Sequence, residues 1–284
     1  MKIKATYMSG AGNLFSVIDN RKYDFSIKQG EILAKILCSK NDLNDFQTEG
    51  LMFLEKHNEN LDFECKFFNP DGSTGMMCGN GGRAITRFAE LSGMLYNKSS
   101  IKFLMSGSIY HSEILGSEIK LFMPPPSILP YRQEITINNQ IITGYFSNTG
   151  TFHFVLNTEE NYIDFNNFNI NEIGSKIRLH NSFEPNGTNV NFTKLEGNSI
   201  YLRTFEKGVE AETGACGTGA VATALTYNMF YNIEFPISII PTSKENLTID
   251  IVKENDGIKN IILQGPAKVL YEIELNLTDK ILLV

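Results

Sequence analysis

Cysteine and histidine are scarce in this chain of 284 residues, at four each. Cys38, Cys65, Cys78 and Cys216 form no CxxC pair, and His57, His111, His153 and His180 show no HxxxH spacing, so the usual signatures of a zinc site are missing and no metal is expected. Cationic blocks are missing too. With 25 Lys and Arg against 32 Asp and Glu, the net charge is −7. Phosphate neutralisation needs clustered cations, so a nucleic-acid partner is not expected, and neither is a polybasic membrane anchor. No stretch approaches the roughly 18 apolar residues of a membrane span. The opening Met1-Lys2-Ile3-Lys4-Ala5-Thr6-Tyr7 lacks the apolar core of about 7–15 residues that marks a signal peptide. The expected setting is cytoplasmic, where structural disulfides are rare. Cys38, closing the apolar run 32–37, and Cys65, within the alternating stretch 61–67, read as small buried hydrophobes.

What remains is ordinary globular composition, 42% hydrophobic and 20% charged, on a length that fits one or two domains. Strand signals dominate. Residues 61–67, 200–204 and 247–251 alternate with period two, and 119–123 is a short apolar run. Helical patterning is rarer. Ala84, Ile85, Phe88, Ala89 and Leu91 share one face before Gly93, as do Ala220, Val221, Ala224, Leu225 and Met229; residues 27–38 and 170–180 are weaker helix candidates. Pro124-Pro125-Pro126 removes three N–H donors and forces an extended linker near mid-chain. Two halves are expected: 1–124 together with a returning strand at 277–284, and 125–276.

Two Gly-rich cysteine motifs mark those halves: Met77-Cys78-Gly79-Asn80-Gly81-Gly82-Arg83 and Ala215-Cys216-Gly217-Thr218-Gly219. They lie 216 − 78 = 138 residues apart. The same offset relates Gly12 to Gly150 and Phe67 to Phe205, which suggests a duplicated fold. Each motif places a thiol at a turn before a helical run. A free thiol titrates at about 8.5, and a helix N-terminus lowers that. The dipole contributes about 0.3–1 kcal/mol, up to ~2 when partly buried, against about 1.4 kcal/mol per pKa unit. A minority of thiolate at neutral pH follows, which suits a pair that needs one thiol and one thiolate and titrates as a unit. Uncovered backbone N–H groups beside the glycines bind anions. They would hold an α-carboxylate and the enolate-like charge formed when an α-proton leaves. Either motif alone reads more readily as a helix cap, and the second copy at half-chain spacing reverses that reading. Neither is a P-loop, GxxxxGK[ST], and neither completes GxGxxG.

The residues resemble the diaminopimelate epimerase family. Gly10-Ala11-Gly12-Asn13 is similar to its N-terminal GxGN. Phe68-Asn69-Pro70-Asp71-Gly72-Ser73 with the first Cys motif, Asn148-Thr149-Gly150-Thr151-Phe152-His153, Gly187-Thr188-Asn189-Val190-Asn191-Phe192, and 204–219 resemble its further signatures in family order. The resemblance implies an α/β (α+β) fold of two pseudo-symmetric domains. Each is a curved, mostly antiparallel sheet around a central helix, with the site in the cleft. It implies Cys78 and Cys216 as the acid/base pair, with no cofactor. Asn13, Asn69, Asn189, Glu206 and Lys207 would line the pocket, with Glu206 on an ammonium group. Gly79, Asn80, Gly217 and Thr218 would hold the reacting carboxylate and amine, and His153 would sit near the thiols. The implied reaction interconverts LL- and meso-2,6-diaminopimelate in lysine biosynthesis, and the implied assembly is a homodimer. The chain departs from the family at Lys207, where Arg is usual, at Thr151, where Asn is frequent, at Leu14 and Ala84, and in 44–50, which lacks the GADG form. A related racemase for another amino acid is the alternative within the same chemistry. A non-catalytic thiol sensor closing Cys78–Cys216 is the alternative outside it.

Overall fold

The computed structural model describes residues 1–40, 47–57, 60–74, 79–255 and 257–277. Cys78, the start of the 44–50 segment and all but Leu277 of the expected return strand at 277–284 lie outside them. The chain divides into two compact units: Met1–Phe122 with Gly265–Val284, and Met123–Gln264.

The first unit runs β1 (Lys2–Gly10), β2 (Asn13–Asp19), α1 (Ile27–Leu37), β3 (Leu51–Glu55), β4 (Phe63–Phe68), α2 (Gly79–Leu91), β5 (Ser100–Met105), β6 (Ser108–Leu115) and β7 (Glu118–Met123). The second runs β8 (Ile128–Ile137), β9 (Gln140–Asn148), β10 (Phe152–Asn157), α3 (Ile170–Arg178), β11 (Asn189–Glu196), β12 (Ser199–Glu206), β13 (Ala211–Thr213), α4 (Gly217–Tyr231), β14 (Ile237–Pro241) and β15 (Leu247–Glu254). The last strand, β16 (Gly257–Asn276), serves both: Gly257–Gln264 pairs with β15 and Ala267–Asn276 with β1, all antiparallel. The sequence expectation returned the chain to the first half only at 277. The structure returns it at Gly265-Pro266, where Pro breaks donor continuity inside a strand far longer than usual.

The α/β (α+β) class implied by the resemblance is the one the chain adopts, with mostly antiparallel pairing in each unit. The four weaker and stronger helix candidates all form. Ser26 and Gln29 close a capping box at the start of α1, and Gly93, at φ +73, follows the end of α2. In the second unit β8–β12, β14 and β15 all pack on α4. From Gly219 to Tyr227 that helix is buried around its whole circumference, as a surrounded helix is. Val221, Leu225 and Tyr227 are all but fully buried, at about 1.5–3 kcal/mol for each large apolar side chain.

The duplication is visible in strand register. β1 and β9 are offset by 138 at both ends, 140 − 2 and 148 − 10, and α2 and α4 start 138 apart. β2∥β3 antiparallel to β4 matches β10∥β11 antiparallel to β12. The row Ser16–Leu51–Phe68 corresponds to Phe154–Val190–Phe205. In each, the aromatic ring lies under a glycine of the flanking helix, Gly30 over Phe68 and Gly174 over Phe205. The counterpart of Phe205 is therefore Phe68, and not Phe67 as a fixed offset had implied; in the first unit the connection before this strand is two residues longer and the one after it a residue shorter.

Candidate active site

The approach to Cys216 is built by β13. Arg203 grips Glu212 with two hydrogen bonds, Nε to Oε1 at 2.9 Å and Nη2 to Oε2 at 2.8 Å, and stacks over Phe168 at 4.6 Å. The pairing holds the Glu212 carboxyl below its usual range. Thr242 Oγ1 donates to the same carboxylate at 2.8 Å, and Ser243 N donates to Gly214 O at 2.8 Å. The chain then turns into α4 with Cys216 as N-cap, extended at φ −120 and ψ 110, its carbonyl accepting Ala220 N at 2.8 Å. The thiol makes no capping bond to the helix backbone; Sγ faces Thr218 Oγ1 at 3.5 Å.

Behind that turn lies a buried polar series. His153 Nε2 meets Thr218 Oγ1 at 2.9 Å, His153 Nδ1 meets Asn191 Nδ2 at 3.0 Å, and Thr204 Oγ1 donates to Asn191 Oδ1 at 3.0 Å. His153 and Asn191 are fully buried. Burial pushes the imidazole down to about 3, so it is neutral at physiological pH. Gly219 makes the arrangement possible: a Cβ there would lie 2.5 Å from Asn191 Oδ1 and 3.4 Å from Cys216 Sγ. Thr149 Oγ1 donates to Thr218 O at 2.9 Å and pins the same turn from the loop before β10.

Strand alternation puts Asn189 beside Asn191, and Glu206 beside Thr204, on the face toward α4. Asn189 accepts Lys207 N at 2.8 Å and donates to Phe152 O at 3.0 Å, which ties the end of β12 to the start of β10. The Glu206 carboxyl turns inward, although the residue keeps some solvent contact, and accepts Thr213 Oγ1 at 2.8 Å. Burial raises it above the usual carboxylate range, so an ammonium group would be a favourable partner. The Lys207 side chain is exposed. Arg178 Nε reaches Glu210 Oε1 at 2.8 Å, and Glu210 also accepts Gly208 N at 3.0 Å, which fixes the turn carrying Lys207. At the α4 start, the N–H groups of Gly217, Thr218 and Gly219 precede the first helical acceptor and suit a carboxylate.

In the first unit Asn13 is buried, and its Nδ2 donates to Glu49 Oε2 at 2.8 Å. Asn69 opens a tight loop: its Nδ2 donates to Ser73 Oγ at 2.9 Å, and Asp71 accepts Ser73 N at 2.8 Å. Gly79 and Asn80 begin α2, both buried. Asn80 Oδ1 accepts Arg83 Nη2 at 2.8 Å, a guanidinium fully removed from solvent. Cys38 and Cys65 are buried as expected, and burial pushes Cys38 up to about 11 and Cys65 higher still. Among the described residues no group of three His, Cys, Asp or Glu could hold a metal, and no helix is long and apolar enough to cross a membrane.

A family profile described as diaminopimelate epimerase matches residues 5–125 and 145–270. The diaminopimelate epimerase of Aquifex aeolicus (strain VF5) is 35% identical over 276 residues, covering 93% of this chain and 95% of that protein. The chain belongs to the diaminopimelate epimerase family. Solved structures agree in fold. A phenazine biosynthesis protein of the PhzF family from Enterococcus faecalis superposes with a TM-score of 0.71 at 18% identity, over 98% of this chain and 100% of that one. A hydroxyproline epimerase from Agrobacterium vitis gives 0.67 at 13% identity, over 96% and 92%.

Within the diaminopimelate epimerase pattern, the structure joins Cys216, Thr218 and His153 in one series and Asn189 with Lys207 at one strand end. It also adds residues the sequence reading did not single out. Glu49 sits on Asn13 despite the altered 44–50 segment. Asn191 and Thr204 back His153, and Thr213 holds Glu206. The available signal was the stripe Asn189, Asn191, Thr193, polar at every second position of a strand whose other face is Val190 and Phe192.

Proposed function

We propose that this chain interconverts LL- and meso-2,6-diaminopimelate, with Cys78 and Cys216 as the two acid/base groups. The chain is an isomerase of a family that needs no pyridoxal phosphate, and its relatives across bacteria and archaea carry the same description. The observation that carries the reading is Cys216 at the N-terminus of a buried helix, with a neutral imidazole series behind it and a desolvated carboxylate, Glu206, on the same face.

In the proposed reaction one cysteine, as thiolate, takes the α-proton and becomes a thiol. The pair of electrons left on Cα is delocalised into the carboxylate, which the helix-start N–H groups stabilise. The other cysteine, as thiol, returns a proton to the opposite face and becomes a thiolate. One proton enters and one leaves, so the pair ends reversed, and it resets by proton exchange with solvent or by a turnover in the opposite direction. Glu206 takes the substrate ammonium. Asn13, Asn69, Gly79, Asn80, Asn189, Gly217 and Thr218 shape the pocket, and Lys207 meets the distal carboxylate as a point charge. A thiol/thiolate pair requires reduced cysteines, which supports a cytoplasmic setting. A homodimer is proposed on the family resemblance, and sedimentation equilibrium would test it.

The deciding experiment incubates reduced protein with LL-diaminopimelate in D₂O and follows the α-proton by NMR, beside a panel of single-carboxylate amino acids. Exchange confined to diaminopimelate is expected. Exchange confined to another amino acid would transfer the assignment to a related racemase, and no exchange anywhere with intact thiols would refute both.

A further inference from the structure

The series behind Cys216 has a direction, and the direction is set at its far end. The Asn191 side-chain nitrogen is a donor only. Facing His153 Nδ1 at 3.0 Å, it makes that ring nitrogen the acceptor. In this orientation the amide oxygen accepts Thr204 Oγ1 at 3.0 Å, so both ends of the amide are partnered. A neutral imidazole has one N–H, which must then be on Nε2, and it is donated to Thr218 Oγ1 at 2.9 Å. With that oxygen accepting from His153, the threonine proton is directed at Cys216 Sγ, 3.5 Å away.

We propose that Asn191 is a positioning residue for the Cys216 sulfur: it fixes a one-way series, Asn191 to His153 to Thr218 to Cys216, that ends by donating a proton toward the sulfur and so favours the thiolate. The proposal rests on the reading of Cys216 as an acid/base group. The opposite tautomer, with the proton on Nδ1, would have Thr218 donate to His153 and accept from S–H, which favours the thiol. One amide thus selects the resting form of the sulfur. The series is not a requirement of the fold. The row Val17–Met52–Phe67 matches Val155–Asn191–Thr204, and Phe15, one residue before Ser16, matches His153. The first unit therefore builds the same ladder with Phe15, Met52 and Phe67, all buried.

Nitrogen-15 NMR of the imidazoles in the wild-type protein tests the polarity directly. His153 should show the Nε2–H tautomer, unchanged from about pH 5 to about pH 8; an Nδ1–H tautomer overturns the proposal. Alkylation of Cys216 at neutral pH, read by mass spectrometry of its peptide, tests the consequence. Thr218→Val should slow it roughly tenfold, the worth of one hydrogen bond to a charged acceptor. Asn191→Met, the residue of the first unit at that row, should slow it several-fold. The double variant should be no slower than Thr218→Val alone, because the series acts as one unit. Additive slowing, or none in variants with unaltered near-UV circular dichroism, overturns the proposal. These readouts need no substrate. Inactivity on diaminopimelate with the Nε2–H tautomer and serial slowing would refute the substrate reading and support the series. Turnover of diaminopimelate with the Nδ1–H tautomer would do the reverse.

Discussion

At three positions matched by strand register, the first unit carries Phe15, Met52 and Phe67, and the second carries His153, Asn191 and Thr204. The first set is dry, with Phe15 and Phe67 in edge contact at 6.3 Å. The second is a hydrogen-bonded series ending on Cys216. The difference continues outward. Asn69 follows Phe68 where Glu206 follows Phe205, and Pro70 stands where Lys207 does. On the central helices, Asn80 and Arg83 of α2 stand where Thr218 and Val221 of α4 do. The repeat conserves where strands and helix starts lie, and it does not conserve which unit holds the polar and charged groups. Backbone placement and recognition chemistry are therefore separable, and each can be disturbed alone.

The largest effect should come from the position the two units share. Cys78→Ala and Cys216→Ala should each lower kcat/KM by about 10³-fold or more, since each removes one of the two proton-transfer groups. Measured in both substrate directions, turnover within tenfold of wild type in either variant would falsify the two-base mechanism. It would also mean that the two units differ in their chemistry as well as in their surroundings.

Next is the strand-end pair Asn69 and Glu206. Glu206→Gln should lower kcat/KM by about 10²-fold by removing the charge opposite the ammonium. Its effect on stability has the other sign. Burial raises the Glu206 carboxyl in the folded protein, so the folded state binds that proton more tightly than the unfolded chain does. Stability then declines as pH rises through the ordinary carboxylate range to the raised value. Gln carries no charge to desolvate, so the variant should melt at or above the wild-type temperature at neutral pH. A clearly lower melting temperature would make Glu206 a structural group, like its counterpart Asn69 in the Asn69–Ser73 loop.

The sequence made the frame of this comparison legible and hid its interior. Gly-rich cysteine motifs, the Pro124–Pro126 break and the 138-residue offset are local or periodic signals, and α2, α4 and the division of the chain follow from them. His153 and Asn191 are 38 residues apart and meet only because β10 and β11 pair in parallel, with Asn191 one row beyond Asn189. Alternation in Asn189-Val190-Asn191-Phe192 gives two faces, but the polar face of a strand is ordinarily read as the wet one. Here it is dry, because a helix covers it. The Asn13–Glu49 contact was hidden for another reason. Its partner, Glu49, sits in the 44–50 segment, which lacks the GADG form of the family.

Exchanging the interior of one unit for that of the other is the third test. His153→Phe installs the residue of the first unit and strands the Asn191 amide and the Thr218 hydroxyl, at a cost of about 1–3 kcal/mol in urea melts. Adding Asn191→Met should recover part of that loss, because removing both partners together costs less than orphaning one. The pH dependence gives a second handle. Burial depresses His153 to about 3, so the unfolded chain takes up a proton that the folded one resists. The resulting stability is complete above the ordinary histidine range and is lost as pH falls toward the depressed value. Wild type should therefore lose more stability than the double variant between neutral pH and about pH 4. Equal loss in both would place the acid sensitivity elsewhere, and no recovery in the double variant would mean that the two interiors are not interchangeable.

The smallest effect should fall on Lys207, which has an uncharged counterpart, Pro70, in the first unit. Asn189 holds the Lys207 backbone N–H at 2.8 Å and Arg178 holds the turn beyond it through Glu210, so a change of side chain at 207 alters the cationic head and little else. Arg offers a distal carboxylate two parallel N–H bonds where Lys offers a point charge. Lys207→Arg should lower KM for diaminopimelate several-fold with kcat steady, the pattern of an interaction made equally in ground and transition states. For an amino acid with a single carboxylate the substitution should change neither constant. If KM for diaminopimelate does not move, the distal carboxylate is not read at 207. If KM moves equally for both substrates, the cation acts through the general field of the pocket, and the second unit contributes charge to it without contributing specificity.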